Sequence, residues 1–437
     1  MEKREEILKF EELKASLRRG DPRILVGIDI AKDTHVARME HSDGRVLVEK
    51  MGIENTREGF EAFRLRIEDL RGRLGLEVVL AFEPSGGYQK LLGEFLIQSG
   101  YTVVQVSGLV AHRNRQTLGD SWLKTDPQDA RNLVDLLRQG KILRYATGAG
   151  FMEEAKRLVQ CDRMLMYESN RLKVRIRNRL LPVAFPELED FFVEVMHPDL
   201  LAILRHCPSA REIAAHSEEE FVRLVSKGGR LGTRKERFRR IYQKAKESIG
   251  VEVQDGFRWE AKWIADRLQA VVQDRKELQA EIARILSPYI GYRLVQTIPG
   301  VGKLLGAIFV VEIGDPWGYR HWRQVMKLSG LNLAVVQSGK FSGTPRISRQ
   351  GKGLLRWAAY QAAVVATTKD PLFHQIYQKA LENRATQKGA KKRALVKVAA
   401  KILKIVFAVL RDQIKFAPEL VTPGQALLKT AREVRSI

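Results

Sequence analysis

Cysteine is nearly absent: Cys161 and Cys207 are the only two, and their separation has neither metal-site nor redox-motif spacing. That excludes a disulfide scaffold and a cysteine metal centre, and both thiols are expected to be packing residues in a reducing cytosol. Long apolar runs are missing too. None reaches the roughly 18 residues of a spanning helix. The opening "MEKREEILKF" is too charged for a signal peptide, so the expectation is a cytoplasmic protein with no membrane partner. Acid is the third shortage. Asp and Glu number 52 against 75 Lys and Arg, leaving +23 on 437 residues. The surplus is spread along the chain, so a polyanion is the expected partner, nucleic acid first. A hydrophobic share of 44% excludes a wholly disordered chain, and the length allows two or three domains.

What is present is organised around "LVGIDIAKD", Leu25 to Asp33. Ile24, Leu25, Val26 and Ile28 form a buried-strand run that Asp29 interrupts. A carboxylate within such a run is costly unless a positive group pairs with it. No Lys or Arg lies beside Asp29 before Lys32, so a divalent metal is the natural partner. The plainer alternative is a loop-facing Asp at a strand end. Gly27 lets a second backbone or a phosphate come close.

From Arg23 to Thr147 the pattern is strand, strand, strand, helix, strand, helix, strand, helix. "THVARME" and "VLVEKMGI" form a hairpin across "HSDGR". "TREGFEAFRLRIEDLRGRL" is a helix capped by Asn55 or Thr56. "EVVLAFE" is a buried strand ending in Glu83, and "YTVVQVS" is another. Strands alternating with helices imply an α/β domain with a partly parallel sheet, whose ligands sit outside the carboxyl ends of its strands. In "LKTDPQDARNLVDLL", Asp126 takes the cap position before Pro127, and Asp129, three residues on, shares its helix face. By themselves these two read as a cap and a dipole-favoured acid. Together with Asp29 and Glu83 they make four acids that repel unless metal neutralises them. Two Mg²⁺ ions about 4 Å apart would do so and form the usual clamp for phosphodiester chemistry. Asp33 is a reserve ligand. Lys124 is placed either to contact a phosphate or to lie solvated.

"GIDIAKDTH", "FEPSGGY" and "KTDPQDARNL" resemble, in order and spacing, the three blocks of the DEDD-type insertion-sequence transposases. These recombinases mobilise bacterial insertion sequences with a RuvC-like, ribonuclease-H-type α/β domain. The resemblance implies Asp29, Glu83, Asp126 and Asp129 as Mg²⁺ ligands. The resemblance covers about residues 24–145 and 290–380 and implies the catalytic domain at 23–150, a helical coiled-coil linker and oligomerisation region at 151–290 and a C-terminal transposase domain at 291–415; outside it the chain reads as an N-terminal extension at 1–22 and a tail at 416–437. The family further implies a structured non-coding RNA that bridges donor and target DNA by base pairing.

In the middle, "EEAKRLVQCDRMLMYESNRLKVRIRNRLL" and "WEAKWIADRLQAVVQDRKELQAEIARIL" are long charged amphipathic helices, suited to an antiparallel coiled coil or a dimer seam. Between them Arg234, Lys235, Arg237, Arg239 and Arg240 form either a nucleic-acid contact or a solvated helix face. From Gly291 the character changes. "IPGVG" before an apolar helix resembles a helix-hairpin-helix, with Gly300 and Gly302 placed to hold a DNA phosphate through backbone amides. The following "QSGKFSGTPRISRQGKGLLR" is a polar, glycine-rich loop carrying Lys340, Arg346, Arg349, Lys352 and Arg356. Most Ser residues in such loops are turn residues, and a Ser hydroxyl needs a base, a metal or cations to become a nucleophile. The loop resembles the C-terminal transposase domain of the same family, in which a loop Ser joins covalently to DNA. That role is carried to Ser338, with Ser342 and then Ser348 as alternatives. Two departures bear on this register: Asn332 and Leu333 stand where the family often has proline, and the later motif reads "ISRQGKG".

The expectation is therefore a DNA recombinase: Mg²⁺-dependent strand cleavage and exchange through a phosphoserine, in a dimer or tetramer that unites the acids of one region with the Ser of another. The alternatives are a junction resolvase or nuclease using water as nucleophile, and a non-catalytic nucleic-acid-binding protein.

Overall fold

The computed structural model describes residues 2–84, 87–118, 126–145, 150–192, 194–226, 232, 234–334, 337–338, 341–342, 346–382, 387 and 389–418. The chain forms two compact units, Met1–Ala149 and Gly150–Ile437.

The first unit is a mixed α/β sheet domain. Its elements run α1 (Glu2–Arg19), β1 (Ile24–Asp29), β2 (Thr34–His41), β3 (Val46–Glu54), α2 (Arg57–Leu74), β4 (Val78–Phe82), α3 (Gln89–Gln98), β5 (Thr102–Gln105), α4 (Gly108–Leu118), α5 (Asp126–Arg138) and β6 (Leu143–Arg144). The sheet order is β3-β2-β1-β4-β5-β6. β1, β4 and β5 are parallel, while β2, β3 and β6 run antiparallel to their neighbours. Period-two alternation splits the apolar residues between the two faces. Ile24, Val26 and Ile28 face α2 and α3 with Leu80 and Phe82. Leu25, Val79, Ala81 and Val104 face α4 and α5. Thr56 caps α2, its hydroxyl accepting from Gly59 N at 3.1 Å, and Gly75 ends the helix at φ 65°. Helix α1, read from the sequence as exposed, instead buries Leu17 beside Leu133 and Leu137, with Phe10 and Leu13 packed against them.

The second unit is mostly helical. Its long helices α6 (Gly150–Arg175) and α12 (Asp255–Leu286) lie side by side. Asp162 pairs with Arg275, Glu168 with Arg267 and Arg175 with Glu260, a descending order that makes the pair antiparallel. A five-residue π segment, Ile176–Leu180, leads from α6 into α7 (Leu181–Ala184). One core gathers α8 (Pro198–His206), α9 (Ala210–Ala215), α10 (Glu218–Ser226) and α11 (Arg234–Lys246) around the start of α12. The other is built by α13 (Ile290–Val295), α14 (Lys303–Ile313), α15 (Trp322–Ser329), α16 (Gly353–Lys369), α17 (Pro371–Leu381) and α18 (Ala390–Asp412). It takes in Ala155 and Val159 of α6 and Ile282, Ile285 and Leu286 of α12. Between α15 and α16 the described residues form two short ladders, β7 (Leu333–Ala334) with β10 (Arg346–Ile347), and β8 (Gln337–Ser338) with β9 (Phe341–Ser342). No helix among the described residues is long and apolar enough to cross a membrane.

Candidate active site

Asp29 is the last residue of β1, half-buried at the carboxyl end of the strand and not within its run. Ile28 pairs with Phe82 across the parallel β1–β4 ladder, so Asp29 and Glu83 are the next residues along two neighbouring strands. The alternation that puts Leu25 and Gly27 on the α5 side puts Asp29 there too, and Val79 and Ala81 do the same for Glu83. Two of the four acids thus share one end and one face of the sheet.

Gly27 brings the other two. A Cβ there would overlap the carbonyl oxygen of Ala130 and stand 3.0 Å from Leu133 Cβ and Val134 Cγ2. The missing side chain lets α5 lie directly on β1: the close approach is by a second backbone, one of the two partners expected. At its far end α5 is tied to β2, where Arg138 Nη2 donates to Glu40 Oε2 at 2.7 Å and Arg38 Nε donates to the same carboxylate at 2.6 Å. Both Glu40 and Arg38 are buried. So clamped, the first turn of α5, with Asp126 and Asp129, points to the end of the sheet where β1 and β4 finish. The side chain of Asp126 lies outside the described residues, as do Lys124, Lys340 and the side chains of Ser338 and Ser342.

Asp129 is buried, and Arg115 of α4 pairs with it, Nε to Oδ1 at 2.6 Å. The N–H does not aim at the oxygen, so Asp129 Oδ1 and Arg115 Nε are both buried without a hydrogen bond. Helix α4 is fixed on α5 by Asn114, whose amide donates to Asn132 Oδ1 at 2.9 Å and Asp135 Oδ2 at 2.7 Å. Glu83 closes the group from the other side: its Oε1 stands 2.6 Å from where a Cβ on Gly108 would be, at the N-terminus of α4. A helix N-terminus favours a carboxylate there. Sequence reasoning missed Arg115 and Gly108. Only the spacing of α4 from the acids could have signalled them, and that spacing is tertiary.

Among the described residues no three acid, His or Cys side chains converge tightly enough to hold a metal ion. The donor chemistry suits a hard divalent cation all the same: carboxylate oxygens only, one of them, Asp129 Oδ1, buried and lacking a hydrogen bond. Arg115 supplies the positive charge that such an ion would bring.

The turn after Asp29 is held from β2 and β3. His35 is fully buried and its Nδ1 accepts from Ala31 N at 3.2 Å, while Asn55 Nδ2 donates to Lys32 O at 3.0 Å. Burial pushes the His35 pKa below its ordinary value.

In the second unit Gly300 has φ 83°, and a Cβ on it would overlap the carbonyl oxygen of Ala362. The glycine at 300 answers to close packing on α16. Gly302, at the N-cap of α14, is exposed with open space around it. The base of the Ser338 loop is cinched. Ser348 Oγ donates to Asn332 Oδ1 at 2.7 Å, Ser348 N to Asn332 O at 2.8 Å, and Arg356 Nη1 to Ser329 O at 2.7 Å. Arg346 and Arg349 are exposed, Arg349 at φ 56°. Lys352 is engaged, its Nζ donating to Glu312 O at 2.6 Å and lying 3.3 Å from the buried Glu312 carboxylate.

On α11 the basic run is largely structural. Arg234 and Arg237 both pair with the buried Asp199 at the start of α8, and Arg239 pairs with Glu218. Their guanidiniums also sit over rings, Arg234 on Phe238, Arg237 on Phe192 and Arg240 on Phe191.

Two transposase family models match this chain. The DEDD, IS110-type model covers residues 26–186, and that of the IS116/IS110/IS902 transposase family covers residues 292–378. An uncharacterized 44.8 kDa protein of insertion element IS116 from Streptomyces clavuligerus is 27% identical over 94% of this chain and 98% of its own length. An uncharacterized 43.6 kDa protein of insertion element IS110 from Streptomyces coelicolor is 24% identical over 90% of this chain and 95% of its own. The pilin gene-inverting protein of Moraxella lacunata is 30% identical over 30% of this chain and 40% of its own length. The first model takes in Asp29, Glu83, Asp126 and Asp129, and the second takes in the loop of Ser338, so the chain belongs to the IS110-type family of insertion-sequence transposases.

Proposed function

We propose that this protein cuts and rejoins DNA at the ends of a mobile element by phosphoryl transfer to a serine. The observation that carries the reading is the placement of Asp29 and Glu83 at the ends of adjacent parallel strands, on the face where Gly27 seats the helix bearing Asp126 and Asp129. The strand order β3-β2-β1-β4-β5 is compatible with a RuvC-like sheet. Asp29, Glu83, Asp126 and Asp129 would hold Mg²⁺, which when bound supplies positive charge for the scissile phosphate. Arg115, beside Asp129, would hold that carboxylate in place until then.

In the chemical step Ser338 Oγ attacks phosphorus. The Oγ–P bond forms as the bond from phosphorus to one deoxyribose oxygen breaks; the serine proton leaves to a base, and the freed oxygen takes up a proton to become a hydroxyl. The phosphoserine keeps the phosphodiester energy, so the hydroxyl of another strand can attack it and release the serine without ATP. Arg346 and Arg349, exposed near the loop base, would offset charge on the phosphorane-like transition state. Gly302 N–H, Lys124 and Lys340 would contact backbone phosphates. The family's bridge RNA would select the target by base pairing. A dimer or tetramer would bring acids and serine together. The outer face of α6 suits such a contact, with Met164, Tyr167 and Val174 exposed at coiled-coil spacing.

The test incubates protein, Mg²⁺ and the DNA and RNA of its own element and looks for a protein–DNA adduct that survives denaturation. Wild type forms it and Ser338→Ala does not. Strand cleavage that persists in Ser338→Ala with no adduct in either protein would instead assign a water-using nuclease.

A further inference from the structure

Two tryptophans on α12 stand out of the surface. Trp259 is 68% exposed and Trp263 48%, one helical turn apart, with rings parallel to within 8° and centroids 6.2 Å apart. Neither joins either core of the second unit. Indole is a large apolar surface to leave in water, and a parallel pair of faces is suited to flat, π-bearing ligands. The charge around the pair narrows the class. A cleft of about 480 Å³ beside Trp259 is lined by Arg205, His206, His216, Arg258 and Lys262. The acid lining it, Glu212, is ion-paired with Arg258. Of the nearby acids on α12, Asp255 is held by Arg258, Glu260 by Arg175 and Asp266 by Arg205. Lys262 lies between the two rings in sequence, is exposed, and makes no ion pair among the described residues. Those pairs engage the arginines as well as the acids, so the cation left beside the rings for a ligand is Lys262.

We infer that Trp259, Trp263 and Lys262 form a docking platform for unpaired nucleotides, the bases stacking on the indoles and a phosphate meeting the ammonium. This rests on the nucleic-acid part of the proposed function and is independent of the serine chemistry. RNA and DNA share the chemistry recognised.

Binding of fluorescein-labelled ~12-nucleotide U and dT oligomers, and of a matched duplex, to the full-length protein tests this by anisotropy. Trp259→Ala and Trp263→Ala each weaken single-strand binding about tenfold and leave duplex binding unchanged. Trp259→Phe restores most of the loss, and Lys262→Gln lowers the salt slope by roughly one ion. A loss confined to the U arm identifies RNA as the occupant, and one confined to dT identifies DNA. Unchanged affinity in both arms overturns the inference. So does a wild-type dimer in sedimentation that the double alanine variant dissociates with affinity intact, which would make the face a contact between copies. Adduct formation by Ser338 is read separately, so either idea can fail alone.

Discussion

Gly27 of β1 and Ala130 of α5 touch backbone to backbone, at a place where any side chain on residue 27 would overlap the Ala130 carbonyl. That contact sets the height of α5 above the sheet, and with it the distance of Asp129 from Asp29. Gly27→Ala must push the helix outward or bend the strand. The expected cost is about 1–3 kcal/mol of stability, with adduct yield falling further than the melting temperature suggests. Unchanged melting and yield would mean that the helix seat tolerates a methyl group.

Arg115 and Asp129 give a second prediction. In metal-free protein Arg115→Gln leaves a buried carboxylate unpaired, at a cost of roughly 1–3 kcal/mol. Mg²⁺ should then raise the melting temperature of Arg115→Gln more than that of wild type, and should not move Asp129→Asn. Scanning calorimetry with and without Mg²⁺ reads both. No Mg²⁺ effect on wild type or Arg115→Gln would remove the acids as a metal site.

His35 makes stability depend on pH. Its folded pKa lies below the ordinary 6.5 because the ring is buried. A proton on Nδ1 would also face the Ala31 N–H that Nδ1 now accepts from. The unfolded chain therefore binds the proton first as pH falls. The His35 contribution is intact above about pH 6.5 and is lost as pH falls from there through the lower folded value. His35→Gln, which can still accept from Ala31, should flatten that slope in urea melts between pH 7 and pH 5. An equal slope in both proteins would assign the effect elsewhere.

Asp162 is buried, bound by Arg275 through two hydrogen bonds of 3.0 and 3.1 Å and by Gln279 at 2.8 Å. Arg275→Gln strands the carboxylate, so a loss of about 3–5 kcal/mol is expected. Pairing it with Asp162→Asn should recover much of that. A double-mutant cycle in denaturant measures the coupling, and additive losses would show that the pair does not act as a unit.

Ser348 adds a prediction about the loop. With its hydroxyl donated to Asn332, Ser348 anchors the loop base, so Ser348→Ala should slow adduct formation without abolishing it, and Ser348→Thr should retain most of the rate. An adduct lost only in Ser348→Ala and kept in Ser338→Ala would move the nucleophile to residue 348.

Much of the first unit was legible in the chain. The runs of β1, β4 and β5 are short and β-branched, and Thr56 and Gly75 cap α2 as their types demand, while α4 and the two-residue β6 were passed over. That Asp29 and Glu83 stand where two apolar runs stop was legible too, although Asp29 ends its strand where the sequence suggested an interruption within it. The basic run on α11 misled, since sequence shows charge but not the buried Asp199 that claims Arg234 and Arg237. The partners of the acids were equally hidden. Arg115 is one arginine among many until α4 folds against α5.

Sequence by itself determined the elements, the family and the acids and serines on offer, because periodicity, caps and motif spacing are local along the chain. Tertiary structure alone decided which face of the sheet the acids share, that Arg115 meets Asp129, and that Trp259 and Trp263 stay in water. Those depend on which strands pair and on where a missing side chain lets a helix settle, contacts between residues far apart in the chain that no local pattern encodes.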